Sequence, residues 1–271
     1  MPGISFLFWN LNRKPLETRL GRMSMSHSVD VVCLAECPLP ADQVVAALKD
    51  SGDYQEADGS GTELRVFSRL PRRFLRFQFI DQQERWLLYR VCPAWAPQFL
   101  LAVAHLPSKL NIRDATQELT VQPFATDIEM TEDRKGHRRT VLIGDLNMNP
   151  FESGVAGAGG LHGVMTRAVA EREERTIQGK EYRMFYNPMW GHFGDRTLGP
   201  PGTYYRSAAE AVNYFWNTYD QLLIRPELID RLSRLEVLIS DGLESLLTTN
   251  QLPDKTNGSD HLPLFFRLEW G

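Results

Sequence analysis

Cysteine is scarce in this 271-residue chain. Its three copies, Cys33, Cys37 and Cys92, are odd in number and show no finger-type spacing, which argues against a disulfide framework and a structural zinc cluster. Cys33 and Cys92 lie in apolar, strand-like runs and are expected to be buried free thiols of a reducing compartment. Long hydrophobic runs are also missing: none approaches the ~18 residues of a membrane span. The apolar run at residues 4–11 is short, lacks a basic leader segment and reads as a first strand, so a cytoplasmic protein is expected. Neither an internal repeat nor a convincing linker is present, and residues 1–271 are expected to form a single domain. Positive charge is not in excess either, since 30 Lys and Arg against 34 Asp and Glu give a net charge of −4. Any surface for nucleic acid must then be local. Two basic clusters could supply it, Arg69, Arg72, Arg73 and Arg76, and Arg134, Lys135, Arg138 and Arg139, although solvated surface charge accounts for each equally well.

What the chain does have is 42% hydrophobic residues divided into short apolar, β-branched or aromatic runs. Residues 4–11, 29–35, 63–68, 74–80, 86–92, 99–105, 140–145, 219–224, 235–239 and 264–268 have strand length and composition. Helices are expected over residues 15–26, with Pro15 in the first turn, over 40–49, and from about residue 112, the last having to bend or stop near Pro123. Strands with helices between only some of them, and a hairpin-like pair at 63–68 and 74–80, imply an α/β protein of mixed sheets covered by helices. Glycines 154, 157, 159, 160 and 163 mark a mobile loop after residue 145. Residues 182–216 are rich in aromatics without periodicity. Burial in a satellite core is the favoured reading there, and stacking on a substrate the alternative.

The informative pattern is where apolar runs end. They stop at Asn10 and Asn12, at Glu36, at His105, and at Asp145 and Asn147, while Asp260 and His261 precede the final strand; α/β proteins commonly build sites where strands emerge from the core. Glu36 and Asp260 are hard oxygen ligands suited to Mg²⁺ or Mn²⁺. Asn10 and Asn147 add neutral donors for phosphate oxygens. Asp145 can orient or deprotonate a water, and the histidines can donate to phosphate or exchange protons near neutral pH. Each residue alone is more often a cap, a turn or a structural histidine. Five strand ends with one chemistry are hard to assemble by accident.

The segments Phe8-Trp9-Asn10-Leu11-Asn12, Val32-Cys33-Leu34-Ala35-Glu36, Ala104-His105-Leu106-Pro107-Ser108, Ile143-Gly144-Asp145-Leu146-Asn147 and Ser259-Asp260-His261-Leu262-Pro263 together resemble the endonuclease/exonuclease/phosphatase superfamily, in its order and over essentially the whole chain. The resemblance implies a four-layer α/β sandwich, two mixed β-sheets face to face and flanked by helices. It also implies a metal on Glu36, with Asn12 and Asp260 near its shell. Asn10 and Asn147 would contact the scissile phosphate, and Asp145 would position or activate water. His261 would contact the phosphate, oriented by Asp220, and His105 would donate to the phosphate or the leaving group, with Glu63 as its carboxylate partner. Asn12 stands where some abasic-site endonucleases carry aspartate, and His105 where that branch has tyrosine, which points away from abasic-site repair and toward the deoxyribonuclease, phosphatase and sphingomyelinase branches. The expected activity is metal-dependent hydrolysis of phosphate esters, foremost of DNA or RNA phosphodiesters, with nucleic acid as substrate. The alternative is a phosphatase or phosphodiesterase acting on a lipid headgroup or small ester. Because Asp145 and His261 flank strands rather than form them, replacing either is expected to cost turnover and little stability.

Overall fold

Side-chain alternation organises the fold. Along β1 (Gly3–Asn10), Phe6 and Phe8 enter one apolar cluster while Leu7 and Trp9 enter another on the opposite face, as the two-residue period of a strand requires. A computed structural model describes residues 1–108, 114–196, 198–209 and 211–271. In it β1 is joined by β2 (Val31–Ala35), β3 (Gln55–Glu56), β4 (Leu64–Ser68), β16 (Leu232–Val237) and β17 (Leu264–Glu269) in a six-stranded sheet of order β16-β17-β1-β2-β4-β3. The second sheet has seven strands: β5 (Leu75–Ile80), β6 (Trp86–Val91), β7 (Phe99–His105), β8 (Thr140–Asp145), β9 (Gly163–Val164), β12 (Phe185–Tyr186) and β15 (Asp220–Ile224), in the order β5-β6-β7-β8-β15-β12-β9. Both are mixed, with β1 parallel to β2 and β7 parallel to β8 among antiparallel neighbours. Two small ribbons complete the strands, β10 (Glu174–Ile177) with β11 (Lys180–Arg183), and β13 (Tyr204–Tyr205) with β14 (Trp216–Asn217).

Three apolar layers hold the sandwich together. Phe6, Phe8, Val31, Cys33, Leu101, Val103, Val141, Ile143, Leu222 and Ile224 fill the seam between the sheets. Outside the first sheet, Leu20 and Met23 of α1 (Glu17–Ser26) and Val44 and Leu48 of α2 (Ala41–Leu48) pack on Leu7, Trp9, Val32 and Leu34. Outside the second, Val121, Phe124 and Ile128 of α3 (Asp114–Lys135) pack on Leu88, Ala102 and Leu142. Full burial of each such side chain is worth ~1.5–3 kcal/mol. The arrangement is the four-layer sandwich that the motifs implied.

Several local expectations change. The 63–68 and 74–80 runs do not form a hairpin: β4 pairs with β2 and β3 in one sheet, and β5 pairs with β6 in the other. Pro71 and the 3-10 turn Arg72–Phe74 carry the chain across between them. Helix α3 does not stop at Pro123. The proline lies on its exposed side, so the lost backbone bond faces solvent while Val121 and Phe124 stay buried; the expected start near residue 112 lies outside the described residues. Cys33 is buried, but Cys92, just past β6, is half-buried, and all three cysteines are free. The glycine-rich stretch is folded around a short helix, Ser153–Ala156, with Gly154 and Gly160 buried. A Cβ on Gly160 would lie 2.2 Å from the Gly154 carbonyl oxygen, so there glycine permits close backbone approach rather than motion. Gly144 is tighter still, with a Cβ falling 2.1 Å from the carbonyl oxygen of Ala104 on the neighbouring strand. Gly144→Ala is expected to destabilise the protein by ~1–3 kcal/mol, measured as a lowered denaturation midpoint.

Candidate active site

Strand parity explains why the polar strand ends converge. Asn10 continues the Phe6, Phe8 face of β1, His105 the Leu101, Val103 face of β7, Asp145 the Val141, Ile143 face of β8, and Asp220 begins the Leu222, Ile224 face of β15. All four faces line the inter-sheet seam, so the last side chain of each row meets the others where the seam opens. Register places His105 and Asp220 on the two sides of Asp145. A cleft of about 260 Å³ results. It is lined by eight of the residues singled out from sequence, Asn10, Asn12, Glu36, His105, Asp145, Asn147, Asp260 and His261, and not by Glu63 or Asp220. Asp220 is completely buried behind His261.

Asp145 is the hub. Its Oδ2 accepts from Asn10 Nδ2 at 3.0 Å, and its Oδ1 from the backbone N–H of Asn147 at 2.9 Å. The same Oδ2 lies 3.8 Å from Nε2 of both His105 and His261. Asn10 Nδ2 also reaches Glu36 Oε1 at 3.4 Å, and Asn10 Oδ1 accepts from Asn12 N–H at 2.9 Å. Asn147 donates from Nδ2 to the Leu106 carbonyl at 2.8 Å, which fixes its amide. Asn12, Glu36 and Asn147 have φ of 49°, 49° and 51°, the left-handed region that is uncommon outside glycine and frequent at functional sites. Behind Asp260, the Ser259 hydroxyl donates to the Asn10 carbonyl at 2.6 Å, and Trp9 Nε1 donates to the His261 carbonyl at 2.9 Å, tying the final loop to β1.

His261 and Asp220 form a buried pair, Nδ1 to Oδ2 at 2.8 Å. Burial opposes charge on the ring, but Asp220, Asp145 and Asp260 outweigh it and push the His261 pKa up to about 10. Burial also raises the Asp220 carboxyl, opposed by the histidine charge. The partner expected for His105 is looser: Glu63 Oε2 lies 4.0 Å from His105 Nδ1, beyond hydrogen-bond range, and that nitrogen has no hydrogen-bond partner among the described residues.

Sequence reasoning missed four lining residues: Ser108, Tyr204, Arg206 and Tyr219. Ser108 was already within a quoted motif. Tyr204 and Tyr219 stack with centroids 5.3 Å apart, and the Tyr204 ring lies 4.7 Å from His261. Burial raises the pKa of both phenols, which therefore stay protonated. The aromatic stretch 182–216 is not one satellite core. Phe185 is buried, Tyr214 and Phe215 are exposed, and the other rings are half-buried, because the glycines and prolines between them divide the segment into separate turns. The two basic clusters lie at the wrong end of the sheets. Arg69 follows Ser68, which pairs with Val31 at the start of β2, and Arg139 precedes β8. Part of each is also neutralised, with Arg69 on Asp30 at 2.9 Å, Arg138 on Glu174 at 2.8 Å and Arg139 on Glu227 at 3.0 Å.

Two groupings offer ligands for a cation. Asp145, Asp220 and His261 present three ligand atoms within 4.8 Å of one another, but the 2.8 Å bond between His261 and Asp220 already uses two of the groups. The cleft-facing set of Glu36, Asp260 and the Asn12 amide presents hard oxygens. Three carboxylates and one arginine line the described cleft, and this negative excess fits a bound divalent cation. No helix among the described residues is long and apolar enough to cross a membrane.

No protein-family model and no curated protein matches the chain. Solved structures do. TDP2 of D. rerio, complexed with a single-strand DNA product, is 17% identical with a TM-score of 0.60 over 100% of both chains. ANGEL2, a 2′,3′-cyclic phosphatase solved with adenosine-2′,3′-vanadate, is 15% identical with a TM-score of 0.61 over 99% of this chain and 96% of that one. An AP endonuclease from Archaeoglobus fulgidus is 13% identical with a TM-score of 0.59 over 98% and 100%. At these identities the likeness is one of fold.

Proposed function

We propose that this chain, which has the endonuclease/exonuclease/phosphatase fold, is a divalent-metal-dependent phosphodiesterase cleaving DNA or RNA. The observation that carries the reading is the position of Asp145, held by Asn10 and by the Asn147 N–H and facing two histidines across one cleft. Asp145 orients an attacking water and takes its proton as the water oxygen bonds to phosphorus and the ester P–O bond breaks. His261, kept protonated by Asp220, donates to a phosphate oxygen, and Asn10 and Asn147 hold the others. His105 donates to the phosphate or to the departing oxygen. Mg²⁺ or Mn²⁺ held by Glu36 with Asn12 and Asp260 would offset the phosphate charge. Hydrolysis of a small phosphate ester is the second reading, favoured by the remoteness of both arginine clusters from the cleft. A panel of plasmid, single-stranded DNA, structured RNA, inositol phosphates and sphingomyelin, each with Mg²⁺ or Mn²⁺, separates the two: turnover confined to the last two classes rejects the nuclease reading.

Glu36→Gln removes one of the charges that attract the cation while keeping the side chain's size. The expected result is a metal titration shifted to higher concentration, with part of the turnover recovered at excess Mg²⁺. Full wild-type activity in excess EDTA, or an unshifted titration, counts against the assignment.

A further inference from the structure

Arg206 is the one permanent cation among the described residues lining the acidic cleft. Its backbone N–H donates to the Phe215 carbonyl at 2.9 Å, extending the β13–β14 ribbon by one pair. The ribbon that sets Tyr204 against His261 therefore also carries this guanidinium.

An aromatic shelf stands on the chain just after Asn147 and just before Tyr219. Beyond Asn147 the chain is pinned by Asn149, whose Nδ2 donates to Asn217 Oδ1 at 2.9 Å and whose Oδ1 accepts from the Thr218 N–H at 2.9 Å. Two residues on, the Phe151 ring stands 40% exposed, with its centroid 5.2 Å from that of Tyr214, itself 55% exposed. Half-buried Phe193 and Trp190 support Phe151 at 6.0 and 6.4 Å. Phe151 and Tyr214 stand four and five residues along the chain from the cleft residues Asn147 and Tyr219, and the Asn149 bonds tie those two segments together. Grouped exposed rings are a cost to a lone soluble domain unless something covers them. Flat rings beside a guanidinium match a base beside a phosphate, the repeating unit of a single strand.

Building on the nuclease reading, we propose that Arg206 and the Phe151–Tyr214 shelf form a nucleotide subsite flanking the scissile phosphodiester: the guanidinium takes the neighbouring phosphate, and the rings take the base of an unpaired strand. Pairing would hide that base inside a duplex, so the subsite favours single-stranded over double-stranded substrate.

Steady-state kinetics on a single-stranded oligonucleotide and on bis(p-nitrophenyl) phosphate, with melting curves, test it in Arg206→Gln and in the double variant Phe151→Ala, Tyr214→Ala. The ratio of the oligonucleotide KM to the small-diester KM is expected to rise about tenfold in the ring variant. In Arg206→Gln the slope of log KM against log salt is expected to fall by about 0.7, the loss of one phosphate contact on a single strand. Unchanged KM ratio and salt slope in variants of a protein that cleaves oligonucleotides overturn the subsite alone. So does an equal loss on both substrates with a lowered melting temperature. A wild-type protein that hydrolyses the small diester and no oligonucleotide overturns the nuclease reading itself.

Discussion

Asp145→Asn is expected to lower turnover by ~10²–10⁴ with the protein still folded. The amide has the shape of the carboxylate, and its single oxygen keeps one of the two bonds, that from the Asn147 N–H or that from Asn10. What it cannot do is accept a proton from water. The stability cost is small because the lost attraction to His261 is offset by relief from Asp220, the carboxylate on the neighbouring strand. The measurement is kcat at saturating Mg²⁺ beside a thermal melt. Near-normal turnover in a folded variant would remove Asp145 from the reaction.

His261→Gln is expected to cost turnover on the same scale, and stability too. The sequence alone implied little stability change, and the buried pair corrects this. Asp220 is wholly enclosed, its Oδ1 has no hydrogen-bond partner among the described residues, and His261 bonds Oδ2 and supplies the opposing charge. Removing one member of such a pair is destabilising by ~3–5 kcal/mol. The double variant Asp220→Asn, His261→Gln should recover much of that stability and none of the activity. This separates a chemical role for the histidine from a packing role. The sign of the pH dependence follows from the raised pKa. A histidine held at about 10 in the folded state contributes stability that is fully present below its ordinary value near 6.5 and is lost as pH rises through about 10. In metal-free protein, the wild-type melting temperature should therefore fall between neutral pH and 10 more steeply than that of the double variant. Parallel curves would contradict the charged pair.

Strand positions and the polar residues ending them were legible in the sequence because both are local. Phe6 and Phe8 alternating with Leu7 and Trp9 declare a strand, and Asn10 marks its exit. Pairing is not local. Nothing in residues 63–80 indicated that β4 and β5 belong to different sheets, since that depends on β2 and β6 competing for their edges. Tyr204 and Arg206 were missed for a similar reason: their ribbon pairs only two residues on each side, too few for a period, and the cleft reaches them through the packing of Tyr204 against Tyr219 and His261. The arginine clusters misled because charge in sequence carries no information about which end of a sheet it occupies.

The order in which the sheets are threaded has a consequence for biosynthesis. Every strand of the seven-stranded sheet lies between residues 75 and 224, whereas the six-stranded sheet draws on both flanks, with β1 hydrogen-bonded to β17 from Gly3↔Glu269 to Phe8↔Leu264. As the ribosome releases the chain, the seven-stranded sheet can assemble from segments already at hand. The other sheet has to wait for a partner some 260 residues away, and such a long closure is slow. Asp260 and His261 emerge just before that last strand. A nascent chain thus carries Asn10, Glu36, His105 and Asp145 without the residues that complete the cleft, and the proposed site cannot assemble until residue 269 has left the ribosome.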